Sequence, residues 1–295
     1  MLEAINIVWF KRDLRTNDHA PLLKASQHKL PVLPIYVVEP IYWKTECSSR
    51  KHWHYIHDCL VDLNDELRNL GQPLIIQVGD VVDIFTQIKL KFNIENIYSH
   101  EETGNIWTYK RDIKVQNWCK ENDISFNEYP SNGVVRKLSS RNEWSKIRNK
   151  RMSEKIYPKP NYIYPIKENI CGELPNKDHS MFGKPIIGRV QRGGRINAIN
   201  DLKSFLNERS GKYLYNISAP GKSEKYCSRL SAHLAWGALS VREIVQSIKK
   251  RRLQLSVDEK KIFGRNLTAF NSRLAWRCHF IPVSYTHLTL PTKRI

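Results

Sequence analysis

The run Cys227-Ser228-Arg229-Leu230-Ser231 places two hydroxyls, a thiol and a guanidinium directly before a helical stretch. Backbone N–H groups at a helix start, assisted by hydroxyls and an arginine, can hold an anion. A phosphate-bearing ligand suits that chemistry, and an ordinary helix N-cap is the plainer account of the same residues. Other strings also carry chemistry. WFKRDLRTNDHAPL (Trp9–Leu22) crowds charges where a strand stops, with Asn17 and Asp18 able to cap the next helix. YSHEETGNIWTYKRD (Tyr98–Asp112) puts His100, Glu101 and Glu102 at another such point, where they can simply end a strand and cap a helix. In HWHYIH only His54 and His57 share a helical face, and no metal site is expected there. Trp276 and Arg277 lie in NSRLAWRCHF, where core packing is the usual fate of a helical tryptophan.

The elements that must position these residues follow from periodicity. The apolar runs INIVWF, VLPIYVV, PLIIQV, IENIYSH and ISFNEY alternate with helical stretches near 18–29, 50–70, 81–91 and 105–121. β-Branched runs alternating with helices predict a doubly wound, Rossmann-like parallel sheet of five strands over residues 1–130. Ligands of such sheets sit beyond the carboxyl ends of the strands. From 131 to 194 five prolines (Pro158, Pro160, Pro165, Pro175, Pro185) interrupt the pattern, which reads as an interdomain linker. From 195 to 281 the chain turns helical: INAINDLKSFLNERS has helical spacing, and Ser240 with Glu243 forms a capping box ahead of VREIVQSIKKRRL.

Composition bounds the partners. The 295 residues carry a formal net charge of +19 with 41% hydrophobic residues, enough for a sizeable core. That charge favours a polyanion, nucleic acid before an acidic membrane. Lys146–Arg151 and Lys249–Arg252 are basic clusters, ordinarily solvated faces. The six cysteines are scattered with no C-x-x-C pair, which fits a reducing, cytoplasmic setting and argues against a disulfide framework. No stretch is long enough to span a membrane, and no signal peptide is evident.

Taken as whole strings, the motifs resemble the photolyase/cryptochrome family. Trp9–Leu22 is similar to its opening W-F-R-x-D-L-R-x-x-D-x-x-x-L, with Lys11 where Arg is frequent. Tyr215 and Cys227–Arg242 look like its flavin-binding segment Y-x11-T-S-x-L-S-x-x-L-x-x-G-x-[LI]-S-x-R, with Cys227 where Thr is common. The resemblance implies an all-helical FAD-binding domain beginning near 195. It implies that Tyr215, Cys227, Ser228, Arg229, Leu230 and Ser231 hold the FAD phosphates. Asn271–Phe280 resembles N-E-L-x-W-R-E-F, which implies that Trp276 packs on a DNA lesion and Arg277 contacts flavin or DNA backbone. Arg273 stands where the family's lesion-bonding Glu would be. Tyr98–Asp112 is similar to the H-E-E-T-G stretch of cryptochrome-like members, with Trp107 and Thr108 where folate-antenna members carry Asn-Glu.

The implied activity is light-driven, FAD-dependent splitting of pyrimidine dimers, a carbon–carbon lyase reaction on damaged DNA. A blue-light photoreceptor without repair is the alternative. An antenna pigment of folate or deazaflavin type and a monomeric state are expected with it. The last segment, 282–295, breaks the resemblance at Pro282 and reads VSYTHLTLPT, expected to be a non-native, adapter-derived tail with the helical period lost. The chain is accordingly expected to be a truncated family member, inactive by itself.

Overall fold

A computed structural model describes residues 2–136, 143–168 and 170–288, with side chains described through Ile281. Five strands, β1 (Glu3–Phe10), β2 (Val32–Val38), β3 (Ile75–Val78), β4 (Phe92–His100) and β5 (Ser125–Tyr129), form one parallel sheet in the order β3-β2-β1-β4-β5. Between them run α1 (Ala20–Gln27), α2 (Pro40–Trp43), α3 (Arg50–Arg68), α4 (Val81–Lys91) and α5 (Ile106–Glu121). A parallel sheet must be covered on both faces, and β2 is accordingly buried along its whole length. Side chains alternate along β1: Ile5, Ile7 and Trp9 pack in the core under α4 and α5, whereas Val8 and Phe10 enter the core on the other face.

The segment after β5 carries α6 (Trp144–Ser153) and a 3-10 turn at Ser180–Phe182, whose Phe182 stacks on Trp53 of α3 at 4.0 Å between centroids. Thereafter the chain is helical: α7 (Arg195–Asn207), α8 (Tyr213–Asn216), α9 (Pro220–Tyr226), α10 (Ser231–Ala235), α11 (Val241–Gln254) and α12 (Val257–Glu259). A π-helical turn, Lys260–Gly264, leads into α13 (Arg265–Leu288). Ser240 and Glu243 form the capping box of α11 as the sequence spacing requires. Leu202, Phe205, Ile244, Leu267 and Phe270 of this helical part share one continuous core with Val8, Phe10 and Leu60.

Two sequence expectations change. Neither Asn17 nor Asp18 caps α1: the N-cap is His19, whose Nδ1 accepts the Leu22 N–H at 3.0 Å. Both are recruited by the helical part instead, where they meet stronger partners. The helix α13 also continues past Pro282 to Leu288. A proline removes one backbone donor and crowds the preceding turn, but its φ is helical, so the helix can run through it at a cost. The remainder of the proposed tail, 289–295, lies outside the described residues.

The turn after β1 and the start of α11 hold the two parts together. The Leu14 N–H donates to the Trp236 carbonyl at 3.0 Å, and Arg15 donates to the Gly237 carbonyl at 3.0 Å. Asp18, in the left-handed region at φ 50°, accepts from Ser240 Oγ at 2.5 Å and from Arg242 at 3.3 Å. Asn17 donates to Glu243 at 2.7 Å, and Arg195 pairs with the same carboxylate at 2.6 Å. Gly237 sits at φ 72°, and a Cβ there would lie 2.5 Å from Asp13 Cα. Gly237→Ala therefore meets both backbone strain and overlap, and should lower unfolding stability by about 2–4 kcal/mol in urea titrations. Burial would raise the Glu243 carboxyl, but Arg195 and the Ser240 N–H outweigh it and hold it below the ordinary glutamate value. The stability it contributes is present above the unfolded pKa, about 4.3, and is lost as pH falls through the lower folded value. Glu243→Gln should cost on the order of 2–3 kcal/mol at pH 7 and flatten the fall in stability below about pH 4.

Candidate functional site

The carboxyl ends of β1 and β4 lie side by side where the strand order reverses, the place where open α/β sheets bind ligands. There, Asp13 Oδ1 accepts the Lys11 N–H at 2.7 Å, and Oδ2 receives His19 Nε2 at 2.9 Å and His100 Nδ1 at 2.6 Å. All three side chains are buried. Burial alone would raise the Asp13 carboxyl, but the attraction of His19 and the hydrogen bonds from both imidazoles hold it well below the usual carboxylate range. Burial lowers both histidines, His100 to about 3, so an ionised carboxylate lies between two neutral rings. The three donor atoms lie within 4.8 Å of one another, close enough for a metal ion. The Leu22 N–H on His19 Nδ1 argues otherwise: it forces the ring proton onto Nε2, which then donates to Asp13 instead of ligating.

A cavity of about 280 Å³ opens beside this cluster. Asp13, His100, Glu101 and Glu102 line one side, and Leu234, Gly237, Leu239 and Arg277 the other. Its glutamates are paired: Glu101 with Arg136 at 3.6 Å, Glu102 with Arg111 at 2.9 Å. Arg12 donates to Tyr42 Oη at 3.1 Å and lies over the Trp236 ring, and Arg277 donates to the Leu234 carbonyl at 2.9 Å. Among the described residues neither arginine has a carboxylate within ion-pair distance. Burial, with a further contribution from Arg12, lowers the Arg277 guanidinium.

The neighbouring crevice beyond β1 and β2 is nearly filled, with about 40 Å³ left. Arg111 there binds Glu39 at 2.8 Å and Asp112 at 2.8 Å and lies 4.7 Å from the Trp9 ring centre. Burial pushes Glu39 up to about 6 in spite of Arg111. Trp107 packs on Tyr42 at 5.5 Å, and the Thr108 hydroxyl is spent in a capping box with Asn105. The two positions at which folate-antenna members offer Asn-Glu thus offer an aromatic ring and an engaged hydroxyl, which do not fit that contact.

The predicted flavin segment forms the loop before α10. Arg209 donates to the Cys227 carbonyl and, at 3.3 Å, to the Ser228 carbonyl. Gln191 takes the Arg229 carbonyl at 2.8 Å. These bonds satisfy the loop's carbonyls, while the first N–H groups of α10, as at any helix start, have no acceptor within the helix. Arg229 is in the left-handed region at φ 63°. Leu230 is buried, anchoring the loop, whereas Ser231 is exposed and Tyr215 is 86% exposed. Cys227, Ser228 and Arg229 are half-buried. A phosphate end of FAD fits this chemistry: N–H groups opening a helix, two hydroxyls and a guanidinium on one loop. On α13 Trp276 is half-exposed, and the Arg273 guanidinium lies 4.4 Å from its ring centre. Arg277 turns away from Trp276 into the strand-end cavity.

Sequence reasoning missed Arg209, Gln191 and a buried cluster beneath the loop. There His233 meets Tyr55 Oη at 2.5 Å and Asp201 at 3.0 Å. Asp201 and Arg209 carry no spacing signal, because α7 and the turn after it meet the loop only through the tertiary fold. No helix among the described residues is long and apolar enough to cross a membrane.

A family model for DNA photolyase matches residues 6–143. Cryptochrome-1 of Drosophila melanogaster is 22% identical over 321 aligned residues, covering 95% of this chain and 58% of that protein. The crystal structure of a Synechocystis cryptochrome superposes with a TM-score of 0.77 at 19% identity, covering 95% of this chain and 61% of the other. An archaeal photolyase from Sulfolobus tokodaii, solved with two FAD molecules, gives a TM-score of 0.69 at 24% identity, covering 95% and 59%. The chain thus spans less than two thirds of each of these proteins. The parallel sheet and the helical part joined to it through the turn after β1 share the fold of these proteins, and over residues 6–143 the chain matches the DNA photolyase family model.

Proposed function

We propose that the full-length protein uses FAD and blue light to split pyrimidine dimers in DNA. The observation that carries this reading is the loop Cys227–Ser231, with its carbonyls engaged by Arg209 and Gln191. Ser228, Arg229, Ser231 and the N–H groups opening α10 would hold the FAD phosphates, with Tyr215 beside them. Flavin bound there would supply one-electron photochemistry. The chain's own residues bind and orient: Arg209 fixes the loop, Leu230 anchors it, and Trp276 offers a flat apolar face to a base. The net charge of +19 favours a DNA backbone.

One observation favours the alternative, a photoreceptor without repair. Arg273 replaces the lesion-bonding carboxylate, and its guanidinium covers a face of the Trp276 ring. A fixed cation cannot exchange a proton with a damaged base as a glutamate can. The related proteins include both cryptochromes and a photolyase, and so do not favour either reading.

Two measurements test this. Ser228→Ala combined with Ser231→Ala should weaken FAD binding by about 10-fold or more, the loss of one to two charge-assisted hydrogen bonds, read by flavin fluorescence. In the full-length protein, a dimer-containing oligonucleotide should be restored under blue light and not in the dark. Flavin reduction by light without dimer loss would give the photoreceptor reading instead. No flavin binding by the full-length protein would sink both.

A further inference from the structure

We propose that His233, the middle residue of α10, is a positioning residue for the loop Cys227–Ser231: through Asp201 and Gln191 it fixes the Arg229 peptide and so sets the loop's affinity for the FAD phosphates. This role rests on the flavin reading above and names the buried side chain on which the shape of that site depends.

Arg229 is the strained point of the loop. Its backbone is left-handed, at φ 63°, a conformation that persists in a residue with a side chain only where its surroundings hold it. Two anchors hold it here. Leu230 is buried beside it, and its own carbonyl accepts from Gln191 Nε2 at 2.8 Å. The same amide nitrogen donates to Asp201 Oδ2 at 2.9 Å, which uses both of its protons. Asp201 Oδ2 also meets His233 Nε2 at 3.0 Å. A carboxylate only accepts, so the imidazole proton sits on Nε2. Nδ1 of the neutral ring is then a lone pair, and it faces the Tyr55 hydroxyl at 2.5 Å. Burial, and after it the Cys59 thiol, pushes the Tyr55 phenol up, so its proton stays on the oxygen and is donated to Nδ1. Each bond directs the next: Tyr55 on α3 orients the ring, the ring orients Asp201 on α7, and Asp201 holds Gln191 against the loop.

Packing alone does not account for a histidine at this position. The side chain is wholly buried, and burial outweighs Asp201 in holding the imidazole below its ordinary value, so the ring is neutral at pH 7. An apolar ring of similar size would fill the space without the cost of desolvating two ring nitrogens. It could not donate to Asp201. Without that donor Asp201 is no longer held toward Gln191, Gln191 can leave the Arg229 carbonyl, and the strained peptide can relax. Asp201 also reaches the other support of the loop. Its backbone carbonyl accepts from Arg209 at 2.7 Å, and Arg209 in turn holds the Cys227 and Ser228 carbonyls. The two supports thus meet at one residue, and His233 is the donor that fixes its carboxylate.

The test uses the full-length protein stripped of flavin, with FAD affinity read by flavin fluorescence. His233→Phe keeps a ring and removes both of its hydrogen bonds, and should weaken FAD binding by about 10-fold or more. His233→Gln restores an N–H donor toward Asp201 and should recover about 3-fold of that loss. Tyr55→Phe removes the bond that orients the ring and should weaken FAD by about 3-fold. Unchanged affinity in His233→Phe overturns the proposal. Equal affinities in the Phe and Gln variants overturn the hydrogen-bonding role and reduce His233 to packing. A nitrogen-15 NMR spectrum of the wild-type histidines needs no variant that could fail to fold: the His233 proton should be on Nε2, and a proton on Nδ1 breaks the chain from Tyr55 to Asp201 and overturns the proposal. A wild-type protein that binds no FAD overturns the flavin reading itself and this role with it, an outcome distinct from the others, in which the wild type binds FAD.

Discussion

The contact between the turn after β1 and the segment Trp236–Glu243 is the constraint from which the other features follow. A turn that ends a parallel strand exposes backbone donors and acceptors that must find partners. Here they are found across the molecule: Leu14 on the Trp236 carbonyl, Arg15 on the Gly237 carbonyl, Asp18 on Ser240 and Arg242. The approach is so close that only a residue without a side chain can occupy position 237. The buried charges make the contact specific as well as close, because sliding it by one residue would leave Asp18, Glu243 and three arginines unpaired in the interior.

This contact also creates the strand-end cavity. The carboxyl ends of a parallel sheet are an open crevice until another element roofs them. The start of α11 is held down by Asp18 and Asn17, which brings Leu234, Leu239 and Arg277 over β1 and β4. The same turn supplies Asp13 to the floor. This one turn between β1 and α1 thus ties the helical part to the sheet and polarises the site between them. The adjoining crevice beyond β1 and β2 has the opposite character. Arg111, Trp107, Tyr42 and Trp43 pack it almost solid, so of these two crevices the one at the strand reversal keeps open space.

The loop Cys227–Ser231 depends on a different piece of the fold. Its conformation is set by Arg209 and Gln191, and these are held by Asp201, His233 and Tyr55. The buried network beneath the loop therefore determines which way the peptide groups face. A hydroxyl-rich sequence provides the donors, but their direction comes from this support.

The strands and the parallel, doubly wound class were legible in the sequence, because burial on both faces writes uninterrupted β-branched runs. The capping box at Ser240 was legible because it is a local hydrogen-bond pattern with fixed spacing. The flavin-like segment was legible as a string, since loop chemistry is carried by consecutive residues. Other features were decided only by the tertiary structure. Asn17 and Asp18 look like helix caps locally, but across the fold Glu243, Ser240 and Arg242 offer charged partners that a local cap cannot match. His19 took the cap in their place, which fixed its tautomer, and through Asp13 the tautomer of His100. No spacing rule connects residues 13, 19 and 100, because the parallel register of β1 and β4 brings them together. The sequence by itself determined which segments form the sheet and where α11 is capped. The pairing of distant charges, and with it the shape and polarity of the cavity, was settled by long-range packing, because a buried charge takes its value from partners that only the folded chain supplies.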